Sequence, residues 1–256
     1  MIRRSVARTA KQGSARLAGE VDFQSTSLTG RMTFGGLVDF TGRQLSLNLD
    51  FSQLVQQPAS LEMRVVDRSA YMDLGPILRS ARRPVPPELA DVEWVKLDLS
   101  QLGSGAAATA GAPTLGSDAS SELETLQGVT DGSVQRVGPA EVRGVATTHY
   151  RADVDVDLAL KRLPSAVRDK VRSATRLFAF PHRLPVEVWI DGSGLVRRYG
   201  MNVTINPAHN PAVNLGMTFE FYDFGVPVVV QAPPADQVTD YSTLKNLLPS
   251  TTNPST

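Results

Sequence analysis

Apolar side chains recur at every second position through most of this chain. In the last third, Val213, Leu215, Met217, Phe219 and Phe221 alternate with Asn214, Thr218 and Glu220. A two-residue period puts one apolar face and one wet face on a strand. The same alternation sets Leu17, Val21 and Phe23 against Glu20, Asp22 and Gln24, and Leu28, Met32 and Phe34 against Thr29, Arg31 and Thr33. It continues with Leu45, Leu47, Leu49 and Phe51 against Ser46, Asn48 and Asp50, then Leu61, Met63 and Val65 against Glu62 and Arg64. Gly35-Gly36 predicts a turn or bulge. A short strand over 70–74 follows a turn at Asp67-Arg68, and 92–99 (VEWVKLDL) is another strand. Later strands are predicted over 133–138 and 140–143 around a turn at Gly138-Pro139, then over 145–158, 186–191, 195–205, 213–224 and 226–231. Asp191-Gly192-Ser193-Gly194 reads as a hairpin, because glycine accepts positive φ. The spacing predicts an antiparallel meander.

Helical periodicity is confined to a few segments. The first residues, MIRRSVARTAKQGSARL, hold no acid before Glu20 and predict a short solvated helix with Val6, Ala10 and Leu17 on its apolar side. A basic arm that touches anionic surfaces is the competing reading. Ser120 or Ser121 is placed to cap a short helix, SELETLQG, ending on Gly128. The strongest helical stripe is Leu160, Leu163, Val167, Val171, Ala174 and Phe178, spaced by threes and fours, with Arg162, Arg168, Lys170 and Arg172 mostly off it. Pro164 either kinks that helix or marks its first turn. Pro76, Pro84, Pro86 and Pro87 make 75–91 a surface excursion, and the Gly/Ala/Ser/Thr-rich stretch 103–117 reads as a flexible loop. The strand series has no polar linker long enough to separate a second core from the first. The expected organisation is one α+β domain over 1–248, with 249–256 as a disordered tail. Its fold is a curved antiparallel sheet with one long and one or two short helices.

Composition narrows the function classes. At 41% hydrophobic and 20% charged, the chain is an ordinary folded protein. Its 26 basic and 26 acidic side chains balance, without the basic excess of a nucleic-acid binder. The absence of cysteine excludes disulfides, thiolate metal sites and thiol nucleophiles. No run approaches the roughly 18 to 20 apolar residues of a membrane-spanning helix. The basic start has no apolar core of a secretory signal.

Catalytic equipment is missing from the motifs. His149, His182 and His209 have no histidine at metal-ligand spacing. Asp153, Asp155 and Asp157 resemble a calcium loop, but they alternate with Val154 and Val156 and lack the glycine and distal glutamate, so they read as a solvated strand face. There is no GxSxG elbow, P-loop or GxGxxG opening a helix. Phe219, Phe221, Tyr222 and Phe224 lack the interleaved cations of a base-stacking platform and read as core or pocket lining. Neither a metal nor an organic cofactor is implied.

The apolar face therefore carries the functional question. One helix covers a strip about 10 Å wide, whereas a sheet of around ten strands at about 4.8 Å spacing is several times wider. What covers the remainder is a helix, a partner or an apolar ligand. Met32, Met63, Met201 and Met217 fall on apolar positions, where flexible thioethers adapt to irregular partners.

Four phrases carry a resemblance: WVKLDLS (94–100), VRGVATTHYRADVDVDLAL (142–160), LPVEVWIDGSGLVRR (184–198) and EFYDFGVPVVVQAPPADQVTD (220–240). In order and wording, over about residues 9–240, they resemble actinobacterial cell-envelope lipoproteins of the LppX/LprG (LppX_LprAFG) type. That resemblance implies a LolA/LolB-like half barrel with helices against its concave face and acyl chains held between. It implies non-enzymatic binding and transport of acylated lipids or lipoglycans in the cell envelope. The family has no short ligand motif, so the lining can be assigned only by pattern. By pattern it comprises Phe23, Met32, Phe34, Leu47, Leu49, Met63, Val65, Leu163, Val167, Val171, Val188, Met201, Val203, Met217 and Phe219. The helix 160–178 and the loop 75–91 are the expected lid. The expected partners are an acylated lipid or glycolipid, the membrane surface and an envelope export partner, with no nucleic acid, and the chain is expected to be monomeric. The family begins with a signal peptide and a lipobox cysteine. This chain shows neither, so either its start lies upstream or it is a soluble or truncated relative. The alternative function is an envelope sensor or scaffold whose apolar face binds a partner protein.

Overall fold

The computed structural model describes residues 1–26, 29–41, 44–67, 69–76, 91–98, 123, 126–162, 181–206 and 212–243. Within them, twelve strands form one open sheet. The strands are β1 (Ser14–Gln24), β2 (Thr29–Asp39), β3 (Gln44–Asp50), β4 (Ser60–Val66), β5 (Ser69–Asp73), β6 (Trp94–Asp98), β7 (Gln135–Val142), β8 (Val145–Asp155), β9 (Arg183–Asp191), β10 (Val196–Ile205), β11 (Val213–Tyr222) and β12 (Val238–Asp240). Their spatial order is β12-β6-β5-β4-β3-β2-β1-β11-β10-β9-β8-β7. The result is a large curved sheet with few helices, as the alternation predicts. Two meanders, β1 to β6 and β7 to β11, meet where β1 pairs antiparallel with β11 along Arg16↔Tyr222 to Gln24↔Asn214.

Among the described strands every pairing is antiparallel except that of β12 with β6. Residues 226–231 form no strand, contrary to the alternation. Instead the segment is tied down piecemeal: Ser14 Oγ donates to the Val226 carbonyl (2.5 Å), Gln44 Oε1 accepts from the Val230 N–H (2.9 Å) and Arg64 donates to the Gln231 carbonyl (3.3 Å). Gly35 and Gly36 sit inside β2 and make no turn. A Cβ at Gly36 would stand 1.8 Å from the Ser46 carbonyl oxygen, so close approach to β3 is what requires glycine there. The two short strands expected either side of Gly138-Pro139 are one strand, β7, with a register shift between Arg136 and Gly138. The turn that follows it is Arg143-Gly144, with φ of 50° and 77°, the left-handed pair that a two-residue hairpin loop needs.

Among the described residues, the helices α1 (Ile2–Ala10), α2 (Ser52–Val55) and α3 (Val156–Arg162) flank the sheet. α1 buries Ile2, Ser5, Val6 and Thr9, one face at spacings of three and four. Ala10 is exposed and Leu17 belongs to β1, which corrects the expected apolar side. Phe51 lies just past β3 and opens α2. There Asp50 accepts the Ser52 N–H (2.8 Å), and its bonds to Ser52 hold the carboxyl below its usual range. The expected strand 145–158 stops at Asp155, whose Oδ1 accepts the Leu158 N–H (2.8 Å) and starts α3. Asp157 is thus helical, facing His182 at 3.2 Å, and the DxDxD run is not one strand face. Of the expected SELETLQG helix, the described residues show Leu123, helical and buried, and a 3-10 turn at Leu126–Gly128. The lid helix beyond Arg162, most of the loop 75–91, the loop 103–117 and the tail after 243 lie outside the described residues. Among the described residues no helix is long and apolar enough to cross a membrane.

Candidate functional site

Strand register lines the apolar side chains up in rows that cross the sheet. One row runs Leu61, Leu49, Phe34, Gly19, Phe219, Tyr199, Val188, Tyr150, each opposite the next on a neighbouring strand. Its centre is aromatic. Phe34 and Phe219 lie 5.4 Å apart at 53°, and Tyr199 stacks on Phe219 at 5.7 Å. The two phenylalanines meet because Gly19 between them has no side chain. A second row, Met32, Val21, Met217, Met201, Val186, Ala152, holds three thioethers. A third runs Val95, Met72, Met63, Leu47, Gly36, Leu17, Phe221.

Twelve of the fifteen residues assigned by pattern to the lining are described. Met32, Phe34, Leu47, Leu49, Met63, Val65, Val188, Met201, Val203, Met217 and Phe219 are buried in one hydrophobic cluster, and Phe23 packs against it half-buried. Leu163, Val167 and Val171 lie outside the described residues. Sequence reasoning misses Tyr199, which is wholly buried at the centre of the aromatic row. A register shift between Val196 and Arg198 explains the omission. The bulge turns Val196 and Tyr199 both inward and leaves Arg197 and Arg198 between them, which breaks the period of two.

The opposite face is polar and ion-paired. Arg31 bonds Asp22 (2.7 Å) and Glu20 (2.9 Å), and these partners, Asp22 first, hold its guanidinium more firmly protonated than usual. Glu220 receives both Arg198 and Arg143, the latter at 2.6 Å. His149 stacks flat on Trp189 at 4.2 Å. Of the C-terminal aromatics, Phe219 and Phe221 are buried, Tyr222 lies under Arg143 (4.1 Å), and Phe224 packs against the apolar cluster with Arg197 over its ring (4.8 Å). The cations that the sequence does not interleave thus arrive from the β7–β8 turn and from β10. A trough of about 380 Å³ runs over Gly200 and Gly216 beside Trp189, Glu187 and Asp22.

A larger cavity, about 700 Å³, lies where α1 meets the ends of β8 and β9. Ile190, Tyr150 and Thr148 contribute from the strands, and Arg3, Arg4, Ser5 and Arg8 from the helix. Ile190 and Tyr150 also belong to the apolar cluster, so this polar cavity adjoins the apolar face. Among the described residues, no three His, Asp or Glu side chains are grouped to hold a metal ion.

Comparison with solved structures places lipoproteins nearby. Lipoprotein LppX of Mycobacterium tuberculosis aligns at 14% identity and a TM-score of 0.44, covering 90% of this chain and 98% of LppX. LprF of Mycobacterium bovis aligns at 13% identity and 0.46, covering 91% and 96%. A putative outer membrane lipoprotein-sorting protein domain from Vibrio parahaemolyticus aligns at 10% and 0.31, covering 89% and 95%. No protein-family model and no curated protein matches the sequence.

Proposed function

We propose that this protein is a non-enzymatic carrier of acylated lipids or lipoglycans in the cell envelope, acting through residues 1–248 as one unit. The observation that supports it is the continuous apolar face. The aromatic row crosses the sheet from β4 to β8 and the methionine row from β2 to β8, on a surface far wider than a nine-residue helix covers. The proposed acyl-chain lining is Phe23, Met32, Phe34, Leu47, Leu49, Met63, Val65, Val188, Met201, Val203, Met217 and Phe219, with Leu163, Val167 and Val171 contributed by the lid. Most of these side chains are buried by protein atoms, so a chain enters by moving the sheet away from what covers it. The methionine row is the compliant region of that wall. Each buried methylene contributes about 0.8 kcal/mol, enough for two long chains to bind tightly without a specific polar contact.

Native mass spectrometry of protein purified from an actinobacterial host, followed by organic extraction, tests the proposal. The expected result is a discrete added mass that extracts as an acylated lipid. A chain that stays bare after incubation with envelope lipids would overturn it and point to a partner protein on the same face.

A further inference from the structure

The cavity beside α1 has a charge that acyl chains do not explain. Arg4 and Arg8 line it beside Arg3, and among its described lining residues the one carboxylate is Asp191. That carboxylate is already spent. Asp191 is buried, bonds Arg197 (2.6 Å), and accepts the N–H groups of Ser193 (2.9 Å) and Leu195 (2.9 Å). The described lining therefore sets Arg4 and Arg8 beside a carboxylate that is already engaged, although the chain as a whole is neutral.

The cationic wall is also held in place. Thr9, on the buried side of α1, accepts the Val196 N–H (2.9 Å) and donates to the Ser5 carbonyl (2.8 Å). Arg8 donates to the Ser193 carbonyl (2.6 Å) across the β9–β10 hairpin. Of the five N–H donors on its guanidinium, that bond uses one. Arg4 stands one helical turn before Arg8, so both present to the same side of the helix. Planar guanidiniums recognise phosphate oxygens through paired, charge-assisted hydrogen bonds. The floor, Ile190 and Tyr150, continues into the apolar face.

We infer that this cavity is an anion site for a phosphate group, and that the group is the headgroup of the carried lipid. The headgroup assignment rests on the carrier reading; the anion site does not. An amphiphile seated here has its phosphate on Arg4 and Arg8 and its chains running over Tyr150 and Ile190 towards the aromatic row. A water-soluble phosphate ester is the other source of the same chemistry.

The test uses the full chain, with phosphatidylglycerol and an uncharged diacylglycerol of the same acyl chains as probes, and glycerol phosphate as the soluble probe. Binding is read by native mass spectrometry and tryptophan fluorescence. The expected result is about tenfold tighter binding of phosphatidylglycerol than of diacylglycerol, with the preference lost in the R4Q/R8Q variant and diacylglycerol binding unchanged. R4E, at an exposed position, repeats the test without touching the Arg8 tether, and melting temperature checks that both variants fold. Diacylglycerol binding without a phosphate preference, or a preference that survives both variants, would overturn the anion site and leave the carrier standing. If neither lipid binds, the carrier reading falls. Arginine-dependent binding of glycerol phosphate would then keep the site as one for soluble phosphates, and no binding of any probe would overturn both.

Discussion

Gly19 keeps the aromatic row continuous by having no side chain. A Cβ there would stand 2.3 Å from Phe34 Cζ and 2.2 Å from the Thr218 carbonyl oxygen. Gly19→Ala is therefore expected to cost roughly 1–3 kcal/mol, the usual range for overpacking. The two collisions can be separated. Phe34→Leu removes the ring but leaves the Thr218 carbonyl, so Gly19→Ala should cost less in that background without becoming neutral. Urea unfolding of the four proteins gives the coupling. An equal cost in both backgrounds would show that the ring does not lie over Gly19. Residues of this kind mark a boundary of sequence reading. Alternation assigns Met32, Phe34, Met201 and Met217 to a common side, because facing follows from parity alone. It leaves Gly19 blank and misses Tyr199, because a ring crossing a glycine and a bulge that resets parity depend on neighbouring strands.

At the scale of elements, polar residues on buried faces decide what the sequence shows. α1 packs Ile2, Ser5, Val6 and Thr9 inward. Half of that stripe is hydroxyl, so hydrophobicity suggests Val6, Ala10 and Leu17 instead. Thr9 is there for a backbone donor: the Val196 N–H at the start of β10 is buried and bonds Thr9 Oγ1 at 2.9 Å. Thr9→Val keeps the shape and removes the acceptor. The expected loss is about 1–3 kcal/mol, the cost of a buried donor left unpaired, whereas Thr9→Ser retains most of the stability. Chemical denaturation of the three proteins checks this, and equal losses in the valine and serine variants would assign the effect to packing. The start of α3 is hidden for a related reason. Asp-Val-Asp-Val-Asp alternates like a strand, and only the Asp155 cap on the Leu158 N–H turns the chain into a helix. The hairpin at Asp191 to Gly194 is legible, because its glycines state the turn locally.

Across the whole molecule, the decisive contact joins the two ends of the chain. β1 pairs with β2 on one side and with β11 on the other, and the nine registered positions from Arg16↔Tyr222 to Gln24↔Asn214 hold the two meanders in one sheet. Nothing in the sequence announces that pairing, since a strand's alternation says which side faces inward and not which strand lies beside it. The outer strands are weaker by construction. β12 has three residues paired in parallel with β6, and β7 is an edge strand with a register shift and an exposed Val137. Amide protection should follow this order, because central strands exchange only when the whole fold opens while edges open locally. In hydrogen exchange of the intact protein, amides of β1 and β11 should exchange last, and those of β12 and the outer side of β7 first. β12 is tied through Glu93, whose N–H bonds the Gln237 carbonyl at 3.0 Å, so its opening should leave β1 and β11 protected. Exchange of β1 and β11 ahead of β3 and β4 would instead mean that the meanders separate before either unfolds. The sheet would then be two halves hinged at its centre, able to open along the aromatic row.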